Sequence, residues 1–134
     1  MSQVHDNVIV SYQADFESEQ LILKTKYYYD GAACENTDII FKGYFTHIFS
    51  NEQKGSIIFG IEERMSTYFC ERERELIEKN RKHCWPINYQ TPDTKGELNK
   101  FIQDNGYKVF DISSSYGLCG WVLAKRMEIV VSEV

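Results

Sequence analysis

Strand spacing dominates both ends of the chain, and helical spacing occupies its middle. Residues 7–12 (NVIVSY) and 20–28 (QLILKTKYY) set β-branched and aromatic side chains at period two on either side of the acidic stretch 13–19, which predicts a hairpin. A turn cluster at 30–36 (DGAACEN) leads into two further runs, 37–43 (TDIIFKG) and 44–50 (YFTHIFS), and a polar break precedes 56–63 (SIIFGIEE). Five consecutive strands in meander order follow from this pattern. The period then changes. Over 66–84 (STYFCERERELIEKNRKHC), Met65, Phe69, Leu76 and His83 fall near one helical face, with Glu75–Lys79 and Glu78–Lys82 as i,i+4 pairs elsewhere, so one long surface helix is expected. Thr94 to Glu97 has the form of a capping box, ahead of a shorter helix in which Leu98, Phe101 and Ile102 face inward and Gly106 terminates.

Three β runs, 107–113, 119–124 and 127–133, finish the chain, with a turn at 114–117 between the first two. No βαβ alternation calls for a parallel sheet. The expected fold is therefore α+β: one domain over residues 1–134, a largely antiparallel sheet or half-open barrel of about eight strands, with one long and one short helix inserted between strands five and six.

Composition narrows the class without changing this picture. A chain of 134 residues with 43% hydrophobic and 14% aromatic residues is long enough to bury a core. The first residues have neither a basic nor an apolar leader segment, and no apolar run approaches membrane-spanning length, so a cytoplasmic protein is expected. Cys34, Cys70, Cys84 and Cys119 include no C-x-x-C pair and read as reduced thiols. The net charge of −5 disfavours nucleic acid as a partner, because a phosphate backbone needs a basic stripe. That charge is one-sided: residues 1–63 hold ten acids against four lysines, which suits a basic partner.

No stretch spells out a reaction. The segment 113–121 (SSSYGLCGW) lacks the G-x-S-x-G elbow and reads as a turn, with Gly117 and Gly120 serving backbone shape and Trp121 packing inward. His5, His47 and His83 are dispersed, and no histidine or cysteine pair has metal-ligand spacing. Phosphate-cradling glycine motifs are absent, so neither metal nor cofactor is expected. Glu62 and Glu63 are strand neighbours that point to opposite faces, which spoils them as an acid–base pair. His47 is expected to share a face with Phe45 and Phe49, opposite Tyr44. Two minority readings stay open: a thiol enzyme using Cys119 with His47, and a ligand module with a pocket lined by Phe45, Phe59 and Trp121.

Residues 7–49 and 104–130 resemble small bacterial immunity proteins of contact-dependent growth inhibition and related polymorphic toxin systems. The resemblance carries no catalytic motif. It implies a non-enzymatic inhibitor that covers the active site of a cognate, basic, nuclease-type toxin domain, with acids standing where substrate phosphates would lie. The contact surface is then expected on the N-terminal strands: Asp15, Glu17 and Glu19 in one turn, Asp30, Glu35 and Asp38 near another, and Tyr28 of the run Tyr27–Tyr29 as an aromatic anchor.

Overall fold

The structure, a computed structural model, describes residues 4–92 and 94–133, leaving out the side chain of Thr94. Eight strands form one antiparallel sheet: β1 (Val8–Asp15), β2 (Gln20–Tyr29), β3 (Ala32–Lys42), β4 (Thr46–Ser50), β5 (Ile57–Arg64), β6 (Lys108–Tyr116), β7 (Cys119–Ala124) and β8 (Arg126–Glu133). Their spatial order is β4-β7-β6-β5-β1-β2-β3-β8, not a meander. β1, β2 and β3 do follow one another as hairpins, but β4 leaves the series to pair with β7.

The cause is a corner. Gly43 turns with φ +65, and its pro-side-chain face lies against Lys125, while Lys125 N–H donates to the Lys42 carbonyl at 2.9 Å. β3 and β4 become one long bent strand, and so do β7 and β8. The two pair along their length, from Glu35↔Glu133 to Ser50↔Cys119. The sheet thereby wraps around a core shared by all eight strands, including Ile9, Leu21, Leu23, Ile39, Phe41, Ile58, Phe110, Ile112 and Val122, with Phe49 and Ile129 packed against them.

Three helices cover the outer face of β6, β7 and β4: α1 (Ser66–Arg72), α2 (Arg74–Asn80) and α3 (Thr94–Asp104). A second core of Phe69, Cys70, Ile77, Leu98 and Ile102 meets Val109, Trp121 and Leu123 there. The single long helix expected over 66–84 is broken at Glu73 (φ −96, ψ 17), whose carboxylate accepts the Trp121 indole N–H at 3.2 Å. That break changes the buried face. Phe69, Cys70 and Ile77 point inward, whereas Met65 is 73% exposed and His83 is exposed. The side chain of Thr94 lies outside the described residues. Glu97 instead accepts the backbone N–H groups of Gln90 and Thr91 from the preceding loop, at 2.5 and 2.8 Å. No helix among the described residues is long and apolar enough to cross a membrane.

Candidate functional site

The predicted acids do not gather on one surface. β2 is ten residues long and spans about 30 Å, and the two acidic turns sit at its opposite ends. Asp15, Glu17 and Glu19 occupy the β1–β2 turn, all exposed. Asp15 is partly spent on the turn itself: its Oδ1 accepts the N–H groups of Ser18 at 3.1 Å and Glu17 at 3.0 Å, and the Ser18 bond chiefly holds its carboxyl below the usual range. Asp30 and Glu35 stand at the far end, beside the β2–β3 turn. Asp38 lies mid-strand and is paired with Lys24 at 3.2 Å, so it offers little free charge. Tyr27 is half-buried while Tyr28 and Tyr29 are 45% and 72% exposed, because a register shift between Tyr27 and Tyr28 interrupts the alternation.

A polar and aromatic cluster forms elsewhere, where β4 folds over toward β1. Tyr12 of β1 meets His47 and Phe49 of β4 edge-on, at 5.8 and 5.0 Å between ring centroids. Its hydroxyl donates to the Glu52 carboxylate, and this bond, with burial, pushes the phenol up to about 12. The Tyr44 hydroxyl lies 2.7 Å from His47 Nδ1, and Phe16 packs against Tyr44 at 6.0 Å. The expected facing of His47 is therefore corrected. Phe49 shares its side as expected, but Tyr44 does too, and Phe45 is on the other, tilted against Phe101 and Tyr107 under α3, because the Gly43 corner breaks the period-two pattern ahead of Thr46.

Burial holds the His47 imidazole below its ordinary pKa, with the Glu52 charge acting in the opposite sense. The folded pKa lies below the unfolded value of about 6.5, so the unfolded chain takes up more protons as the pH falls through that value. Stability is thus expected to drop between pH 7 and pH 5, and His47→Gln should flatten the melting-temperature profile across that window. An unchanged slope in the variant would place the acid sensitivity on the carboxylates, which titrate lower.

Beside this cluster, β1 borders a cleft of about 520 Å³, lined by residues 8–12, Tyr28, residues 52–56 and Leu118. Val10 is 54% exposed and Tyr12 37%, and Phe16 at the end of the strand is 76% exposed. Of the predicted anchors, only Tyr28 reaches this cleft. Val10, Tyr12, Phe16 and Glu52 were not singled out by the sequence. The one available signal was the consecutive apolar run Val8–Ile9–Val10, which cannot all face one core at period two.

The residues of the two minority readings are dispersed. Phe45 and Trp121 are in the helix-side core, while Phe59 is 58% exposed on β5 beside His5. Cys119 neighbours Ser50 Oγ at 3.5 Å and Asn51, whereas His47 turns to Tyr44. Among the described residues no three histidine, cysteine or carboxylate groups converge as a metal cage. No family model matches the chain, and no curated protein or solved structure is significantly similar to it.

Proposed function

We propose that this chain is an immunity-type binding protein that neutralises a basic, nuclease-type toxin domain by covering its active site, and that it works in the cytoplasm. The observation that carries the reading is the surface along β1. Exposed Val10, Tyr12 and Phe16 lie among the carboxylates of Asp15, Glu17, Glu19 and Glu52, so anchors that gain from burial stand beside charges that attract a cationic partner. The geometry divides the predicted interface. The β1–β2 turn lies at one end of this surface, and Asp30 and Glu35 stand a strand's length from that turn, toward the Tyr28 end of the cleft.

The test is to recover the partner with tagged protein, identify a basic toxin domain, and measure both its inhibition and the association rate. Stoichiometric addition of the chain is expected to abolish nuclease activity. Glu17→Lys combined with Glu19→Lys should slow association about tenfold at low salt, with the difference shrinking as salt is raised. At about 0.1 M salt Asp30→Lys should slow association less than the turn reversal does, since Asp30 lies about 30 Å, several Debye lengths, from the β1–β2 turn. A captured domain that stays active at equimolar inhibitor would end the reading. Equal slowing by Asp30→Lys would extend the interface over the whole hairpin.

A further inference from the structure

The ladder between β1 and β5 stops almost as soon as it begins. Val8 faces Ile57, Ile9 N–H donates to the Ser56 carbonyl at 2.8 Å, and past Ile9 no backbone hydrogen bond joins β1 to the loop 51–55 among the described residues. The cause lies in β1 itself. Its pairing with β2 runs Ile9↔Thr25 and then Ser11↔Lys24, leaving Val10 as an extra residue, and a bulge of this kind bends and twists a strand away from its neighbour. From Val10 to Asp15 the strand is thus paired on its β2 side and open on the other. The cleft lies where the two chains diverge, with residues 8–12 as one wall and residues 52–56 as the other.

An open strand edge inside a walled cleft is suited to an extended backbone, because main-chain groups supply the affinity while flanking side chains choose the sequence. The charges define that sequence. Glu52 and Lys54 both line the cleft, and Asp15, Glu17 and Glu19 stand at the end toward which the edge runs, so acids outnumber the base along it. We propose, building on the toxin-binding reading above, that the partner docks as an extended segment added to the open edge of β1 between Val10 and Asp15, with a lysine or arginine directed at Glu52. The outer edge of β8 is a second open edge, with Val130 and Val131 51% and 44% exposed. It lies away from the Val8–Tyr12 cleft and serves as the internal control.

The probe is a capped seven-residue peptide alternating valine and lysine, titrated into the isotope-labelled full chain while amide shifts are followed. Shifts are expected at residues 10–15 and 52–56. They should vanish when alternate peptide amides are N-methylated, which removes the donors and leaves the side chains in place. Replacing the peptide lysines by glutamate should also abolish binding, and Glu52→Gln should weaken it about two- to fivefold, the size of one exposed ion pair. Shifts confined to 126–133, no shifts at all, or equal binding of the N-methylated peptide would overturn strand addition. None of these results touches the neutralisation assay, so a toxin that is inhibited while this peptide fails would retain the function and discard the docking mode.

Discussion

Gly120→Ala is expected to destabilise the protein by about 3 kcal/mol or more, lowering the melting temperature by roughly 10 °C. Gly120 sits in β7 opposite Phe49 of β4, with φ +154. A Cβ there overlaps the carbonyl oxygen of Ile48 and comes within 3.0 Å of Phe49 Cα. Those are backbone atoms of the neighbouring strand, so no rotamer change relieves the clash and the β4–β7 ladder must part. The ladder does more than add one strand. It carries the bent ribbon that lets the sheet wrap its core, and it seats Trp121 against Phe69 at 4.7 Å and Trp85 at 6.0 Å. Thermal melts of Gly120→Ala and Gly106→Ala form the comparison, because Gly106 also has a positive φ (+70) but a Cβ there meets nothing within 4 Å. Similar losses at both positions would show that glycine's backbone freedom, rather than the close approach, sets the cost.

Much of the secondary structure was legible because period-two alternation persists wherever one strand face is buried. The run 20–28 forms β2, where Leu21, Leu23 and Thr25 are buried at period two. The start of β3 was not legible: DGAACEN has turn composition, yet only Asp30 and Gly31 turn, and Ala32 to Asn36 extend as strand. The sheet order was beyond the sequence pattern, since β4–β7 and β3–β8 join residues that are about 70 to 100 positions apart and periodicity reports only local facing. The helix break at Glu73 likewise answers to a tertiary partner, Trp121, and not to a local breaker residue.

The candidate site was legible in chemistry and not in place. Acids and tyrosines of the first half were recognisable from charge and composition, but their grouping depends on which ends of β2 they occupy. Tyr12 and Glu52 come together across 40 positions because β4 folds back toward β1. The open edge that frames the cleft comes from a single bulge at Val10, a register event that alternation can hint at but not locate.

The second large effect is expected at Asp111. Its carboxylate, 14% exposed, receives Arg72 through two nitrogens at 2.5 and 3.0 Å and Arg64 Nε at 3.0 Å. Hydrogen bonding to Asp111 is the largest cause raising both guanidinium pKa values, so the attraction is seen from each arginine. Arg72 belongs to α1, Arg64 to β5 and Asp111 to β6, so one carboxylate fastens the helical layer to the sheet. Removing it leaves two cations facing each other, one of them only 30% exposed, with Glu62 and Glu73 as remaining partners. Asp111→Ala is accordingly expected to cost about 2–3 kcal/mol, because breaking a partly buried pair from its shared side leaves charge uncompensated. Arg64→Ala should cost far less, since that side chain is 41% exposed and solvent screens its pairs. Denaturant midpoints of the two variants decide between this shared-anchor account and a set of independent surface bridges. Equal, small losses would favour the surface bridges; a large loss confined to Asp111→Ala would identify the carboxylate as the joint between α1 and the sheet.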